Sequence, residues 1–171
     1  MKDAEDIHKL KERWKNNMSR ISWDDYFIQM TKLVAQRAGC RKRSVGAVIV
    51  KDNRILATGY NSAPYGVKEC SDKGYCLRQG SHQGQNLETC MAVHAEMNAI
   101  LQCAKLGISC NNAKIYITTH PCIHCLKAII NAGIKEIIYI DDYNDPTSKQ
   151  LAEECDIKIK QYKENNKDER V

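Results

Sequence analysis

Several things are scarce in this sequence, and each scarcity excludes something. Its 171 residues include three Pro, nine Gly, two Trp and one Phe. A chain so poor in Pro and Gly is neither collagen-like nor a low-complexity linker. It contains no run of about 18 consecutive apolar residues, so no transmembrane helix is expected. Residues 1–20 are charged throughout and lack the apolar stretch of a signal peptide, so no secretory signal is expected. No self-similarity appears at the spacing of repeat proteins. What remains is 43% hydrophobic and 27% charged, the balance of a globular domain. The length suits one domain rather than two, and roughly 70% of the unfolded surface can be buried at this size.

A concentrated charge of one sign is also missing. The net charge is +5, from 26 basic and 21 acidic residues. Residues 1–20 carry +2, residues 158–171 carry +2, and the long middle carries only +1. The basic excess sits on the ends, so a nucleic-acid-binding face is not expected in the body.

Cysteine, in contrast, is abundant, with nine residues. Without a secretory signal the expected compartment is reducing and cytoplasmic, where disulfides are disfavoured. An odd count also fits a disulfide framework poorly. Such cysteines serve as small buried hydrophobes, metal ligands or catalytic groups.

Punctuation divides the chain. Ser22 followed by Asp24 and Asp25 starts a helix, Phe27, Met30, Val34 and Ala38 mark its apolar face, and Gly39 stops it. Residues 45–50 and 54–60 flank an Asp52-Asn53 turn and predict a β-hairpin. Residues 61–92 show no lasting periodicity, and a loop that long is either functional or tied down. A helix is predicted from His94 to Gly107, a strand at 114–119, a helix at 122–131, a strand at 136–140, a helix at 147–155 and a last strand at 157–159. Helices alternating with strands after a hairpin predict a layered α/β fold with helices against a mixed sheet. Residues 1–20 read as a loosely attached helix or arm, and residues 161–171 as frayed. Trp23 and Phe27 read as core anchors or part of a subunit contact.

Two helix starts carry chemistry. His94-Ala95-Glu96 opens one, and Pro121-Cys122-Ile123-His124-Cys125 opens another. The combination of H-x-E with P-C-x-x-C is the signature of zinc nucleobase deaminases. Cysteines three apart at a helix N-terminus can face one ion, and the helix dipole favours their thiolates. His94 supplies a third ligand and leaves a fourth position open, as catalytic zinc requires. Zinc lowers the pKa of bound water to about 7. Glu96 is not needed as a ligand and can shuttle the proton to a ring nitrogen and then to a leaving amine. His124, between the two cysteines, is expected to face solvent.

At these residues the sequence resembles the deoxycytidylate (dCMP) deaminases of the cytidine deaminase-like superfamily. The likeness extends over about residues 22–160. It also rests on Val45–Val50, on the stretch ATGYNSAPYG at 57–66, on HAEMNAI at 94–100 and on IYITTHPC at 115–122. The resemblance implies a three-layer α/β/α fold, with a central mixed five-stranded sheet and helices on both faces, in a deaminase domain at 21–160. It implies hydrolysis of dCMP to dUMP and ammonia for thymidylate synthesis, a hexamer, and dCTP and dTTP as allosteric effectors. By position it assigns His94, Cys122 and Cys125 to the catalytic zinc and Glu96 to proton transfer. Asn61 falls where the family contacts the sugar, Ala95 where its backbone touches the base, Tyr143 where an aromatic lines the base pocket, and Lys42 where some relatives place a phosphate-contacting cation. Arg41 and Arg43 are equally available for that last role. Ser62 departs from the Gly that commonly follows Gly-Tyr-Asn, and His120 has no assigned role.

Several dCMP deaminases hold the long insertion with a second, structural zinc. The resemblance, with the spacing of the remaining thiols, assigns it to Cys40, Cys70, Cys76 and Cys90. His82 in place of one cysteine, or four unligated thiols, are the rival readings. Cys103, Cys110 and Cys155 are expected to pack as small hydrophobes. Two other functions stay open: deamination of another cytosine nucleotide or a polynucleotide base, and a non-catalytic, competence-associated binding protein.

Overall fold

The computed structural model describes residues 7, 20–82, 85–155 and 157–164. Most of the N-terminal arm, with Trp14, and the end of the polar tail lie outside the described residues.

Helix α1, Trp23–Ala35, begins where Ser22 accepts the Asp25 N–H on its hydroxyl at 3.0 Å. That bond satisfies one of the orphan donors of the first turn. Its last helical residue precedes Gly39, because the chain already leaves helical geometry after Gln36. The buried stripe is Phe27, Ile28, Thr31 and Ala35. Trp23 is not a core anchor: it is 55% exposed and stacks on Phe27 from outside, with ring centroids 5.6 Å apart.

Strands β1, Gly46–Lys51, and β2, Arg54–Tyr60, form the expected hairpin. Asp52 and Asn53 both take positive φ, 50° and 57°, as a two-residue turn matching strand twist requires. Among the described residues of 61–92, the helical elements are a short helix α2, Cys70–Lys73, and a 3-10 turn at Leu87–Thr89. Helix α3, Ala95–Leu106, follows, ended by Gly107 in the left-handed conformation. Then come β3 (Lys114–Thr119), α4 (Ile123–Asn131), β4 (Glu136–Asp141), α5 (Pro146–Glu154) and β5 (Lys158–Gln161).

The five strands form one sheet in the order β2-β1-β3-β4-β5. The pairs β2·β1 and β1·β3 are antiparallel, while β3·β4 and β4·β5 are parallel. Alternate residues of β1 and β3 therefore enter two cores. Ala47, Ile49, Ile115 and Ile117 pack with α3 and α4 on one face, and Val48, Val50, Tyr116 and Ile138 pack with α1 on the other. This is the expected mixed sheet with helices on both faces. A Cβ at Gly59 would overlap the carbonyl of Ala95, so glycine there lets β2 lie against the first turn of α3.

Residues 161–164 differ from the frayed reading. Gln161 ends β5, the Tyr162 hydroxyl donates to Asp25, and Lys32 pairs with Glu164 at 2.8 Å. Tyr162 is apolar enough to pack beside Phe27 and polar enough to reach the carboxylate on α1, which a count of polar residues does not register.

The topology collects one sheet edge. Gly46 pairs with Tyr60, and β1 runs against β3, so the segments before β1, after β2 and after β3 all emerge together. The segment after parallel β4 joins them. That is where an open α/β sheet presents ligand sites.

Candidate active site

The three predicted catalytic ligands meet at this edge. His94 and Cys122 are the N-cap residues of α3 and α4, and Cys125 is in the first turn of α4. His94 Nδ1 lies 3.5 Å from Cys122 Sγ and 3.4 Å from Cys125 Sγ. Tetrahedral zinc, with bonds of about 2.3 Å to sulfur and about 2.0 Å to nitrogen, sets such atoms about 3.5 Å apart. The donor set therefore fits zinc in type, number and spacing. Among the described residues this is the one group of three or more whose ligand atoms all lie within 4.8 Å of one another. His124 is exposed and outside it.

The thiols are biased toward binding. Cys122 is lowered to about 4, first by the hydrogen bond from Cys125 and also by the one to His94. Cys125 is pushed up by that same shared proton and by burial, so in the absence of a cation the pair keeps one proton between them. A bound cation displaces it. Glu96 is 4% exposed, and burial raises its carboxyl to about 7. An acid so placed exchanges a proton readily near neutral pH.

Supports fix these groups. Asp145 caps α5 by accepting from Ser148 N at 3.0 Å and accepts from Ile123 N, the first amide of α4, at 2.9 Å. The buried Ser148 hydroxyl donates to Pro121 O at 2.9 Å. The start of α4 is thereby tied to α5 on both sides of Cys122. On α3, Asn98 donates to Tyr60 O at 2.7 Å and to Ser62 Oγ at 3.2 Å. Ser62, the departure noted above, thus links the loop after β2 to the helix carrying His94.

The site lies in a cavity of about 360 Å³, within the range of small-molecule sites. All four residues expected to contact substrate, Lys42, Asn61, Ala95 and Tyr143, line it. Asn61 is partly engaged already: its Oδ1 accepts from Val45 N and its Nδ2 donates to Arg43 O, both at 2.8 Å. It shapes the segment before β1 as well as facing the cavity. His120 also lines the cavity. It is buried, with Nδ1 3.0 Å from Pro121 O, and burial holds its pKa below the ordinary value. Arg43 lines the cavity and Arg41 does not. Sequence reasoning missed Arg78, Ser81 and Thr119. Arg78 and Ser81 sit in the aperiodic loop, where no spacing announces which side chains turn inward.

Cys40, Cys70, Cys76 and Cys90, the four expected at a second zinc, are half-buried and gathered around Cys70. Its thiol is raised first by burial and then by the nearby Cys40, Cys76 and Cys90. Cys40 Sγ accepts from Lys42 N at 3.4 Å. Their sulfurs do not share the 4.8 Å grouping of the catalytic three. Cys103 and Cys110 are buried, and burial, with Cys110 nearby, lifts Cys103 to about 12.

Comparison with known proteins agrees with this geometry. The family model of the cytidine and deoxycytidylate deaminase zinc-binding region matches residues 21–141. The chain is 44% identical over 145 residues to ComE operon protein 2 of Bacillus subtilis, covering 84% of this chain and 73% of that one. It is 42% identical over 149 residues to the deoxycytidylate deaminase of Schizosaccharomyces pombe, covering 85% of this chain but only 46% of the yeast protein. The structure of dCMP deaminase from cyanophage S-TIM5 in complex with dCMP and dUMP superposes with a TM-score of 0.71 at 26% identity, over 84% of this chain and 99% of the phage chain.

Proposed function

This chain belongs to the cytidine and deoxycytidylate deaminase zinc-binding family, and from that premise we propose that it hydrolyses dCMP to dUMP and ammonia, supplying dUMP for thymidylate synthesis. The observation that carries the reading is the buried Glu96 beside the His94, Cys122 and Cys125 cluster, in one cavity with Lys42, Arg43 and Arg78. The buried acid and thiols mark its floor, and the exposed Lys42 and Arg43 mark its mouth.

Zinc, when bound by His94, Cys122 and Cys125, supplies the electrophile that makes water nucleophilic near neutral pH. Glu96 accepts a proton from that water, delivers it to the ring nitrogen beside the reacting carbon, and passes the next to the departing amine. One carbon–oxygen bond forms, one carbon–nitrogen bond breaks, and water provides the oxygen and both protons. The Ala95 backbone and the Tyr143 ring border the base, Asn61 the sugar, and the cations Lys42, Arg43 and Arg78 the phosphate. Exclusion of bulk water by the buried floor strengthens each of these contacts.

The finer features belong to the same proposal. One zinc is catalytic, and a second, structural one is held by Cys40, Cys70, Cys76 and Cys90, whose gathering around Cys70 supports it. The deaminase domain spans 21–160, between a polar arm at 1–20 and a polar tail at 161–171. The enzyme works in the reducing cytoplasm as a homo-oligomer, a hexamer, and responds to dCTP and dTTP. Exposed Trp23, Tyr26 and Leu33 on α1 give such an assembly apolar surface to cover.

Loss of cytosine absorbance on mixing zinc-loaded protein with dCMP tests the activity. No turnover at full zinc occupancy, with or without dCTP, overturns it. Running cytidine, dCTP and single-stranded DNA beside dCMP separates a mononucleotide enzyme from a polynucleotide editor.

A further inference from the structure

A nucleoside monophosphate differs from its nucleoside by one dianionic group, so a cavity that prefers it must offer a cation with free donors. Three cations line this cavity: Lys42, Arg43 and Arg78. They are not equivalent.

Lys42 donates from Nζ to the carbonyl oxygen of Ser81 at 2.9 Å. That bond ties the loop to the segment before β1 and holds the ammonium against backbone. Arg43 is exposed, and its position is set mainly through its carbonyl, which Asn61 grips at 2.8 Å. Arg78 is half-buried, and its Nε donates to Gln85 O at 2.9 Å. This bond orients the guanidinium plane and leaves both terminal nitrogens without a hydrogen-bond or ion-pair partner among the described residues. A partly buried cation without a carboxylate bears a desolvation cost that a bound anion relieves. An arginine already fixed at Nε gives up less freedom when its fork closes on two phosphate oxygens.

The placement agrees with this: Arg78 lines the same cavity as His94 and Tyr143.

We propose that Arg78 makes this cavity select a nucleoside monophosphate over the free nucleoside, its terminal guanidinium nitrogens taking the phosphate while Lys42 serves mainly as the tether that sets the loop. The inference rests on the proposed deamination of dCMP and adds the residue that discriminates the substrate class.

The test is steady-state kinetics of the zinc-loaded full chain on dCMP and on deoxycytidine, for wild type, Arg78→Ala, Arg78→Lys and Lys42→Ala. A charge-assisted pair to phosphate corresponds to about 10- to 100-fold in affinity. Arg78→Ala is expected to raise KM for dCMP by about that factor, with kcat changed less than about threefold. Its kcat/KM on deoxycytidine should stay within about twofold of wild type, which also reports an intact fold. Arg78→Lys should recover part of the loss, and Lys42→Ala should cost less than Arg78→Ala. Inorganic phosphate should compete with dCMP in wild type and much less in Arg78→Ala. The inference is overturned if dCMP and deoxycytidine activities fall together in both Arg78 variants, if Arg78→Ala leaves KM for dCMP unchanged, or if Lys42→Ala carries the larger rise. Wild type that turns over neither substrate overturns the deaminase reading itself, a result distinct from active wild type with a neutral Arg78→Ala.

Discussion

Two groups of cysteines emerge at the same edge of the sheet, and they are built in opposite ways. Cys122 and Cys125 sit on the first turn of α4, buried, with His94 capping α3. Both helices pack on the same core as β1 and β3, so the ligands reach bonding distance through ordinary folding. Cys70, Cys76 and Cys90 hang on a segment whose described regular structure is one turn of helix and one 3-10 turn, Cys40 lies between α1 and β1, and all four are half-buried. The first group is preorganised by the hydrophobic core. The second has little but local hydrogen bonds, so a metal would have to supply the ordering free energy. A catalytic site needs the first construction, since its geometry must survive turnover. A loop that shapes the mouth of a cavity tolerates the second.

The largest test of the contrast removes chemistry without touching ligation. Glu96→Gln should lower kcat on dCMP by about 10³-fold or more, because no general acid–base group replaces the carboxyl. Zinc per chain should stay at the wild-type value, since neither the core nor the three ligands change. Retained turnover would remove Glu96 from proton transfer. Loss of zinc would show that the preorganised site is less independent than the packing implies.

The second test acts on the other group. In the proposed two-zinc enzyme, Cys70→Ala should reduce metal from about two ions per chain to about one, because a structural site with three of four ligands binds far more weakly. Limited proteolysis should then cut within residues 61–92 while the sheet stays protected. Wild type carrying a single zinc would remove the four-cysteine site. A cleavage pattern that spreads into β3 or β4 would break the distinction between the regions.

How much of this was legible in the sequence follows the same division. The catalytic four, His94, Glu96, Cys122 and Cys125, were readable because their chemistry lies within a few residues at two helix starts. The hairpin was readable because Asp52-Asn53 interrupts two apolar runs. The sheet order was not, since it depends on β1 and β3 pairing across 62 intervening residues through contacts no local pattern encodes. Trp23 and Phe27 share a helix face at i and i+4, yet only Phe27 is a core anchor, and Trp23 at 55% exposure leaves the subunit-contact reading. Arg78 was invisible for another reason: loop geometry alone brings it to Gln85. Lys42 was singled out by position, but its bond to Ser81 could not be foreseen.

A smaller effect sharpens what anchors the preorganised site. Asp145→Ala removes the cap of α5 and the acceptor for the first amide of α4 together. Losing a cap costs about 1 kcal/mol, so the pair should cost about 2 kcal/mol, or roughly 4–8 °C in Tm for a chain of this size. Zinc should also leave faster to a chelator, because the amide bond beside Cys122 no longer fixes the start of α4. Unchanged zinc release, with the expected fall in Tm, would assign Asp145 to stability alone.

The smallest effect probes the seam between the two constructions. Ser62→Gly deletes the hydroxyl that accepts from Asn98 at 3.2 Å. Asn98 keeps its shorter bond to Tyr60 O at 2.7 Å, so no buried donor is orphaned. The backbone pairing of Ser62 with Val93, at 2.8 and 3.2 Å, needs no side chain. The expected cost is therefore only about 0.5–1 kcal/mol, one modest hydrogen bond plus the added backbone freedom of Gly. Hydrogen exchange should rise in residues 61–66 and stay unchanged in α3. Exchange that also rises at His94 and Ala95 would mean that the loop helps to hold the catalytic helix, and the two regions would then be one cooperative unit rather than a rigid site with a tethered rim.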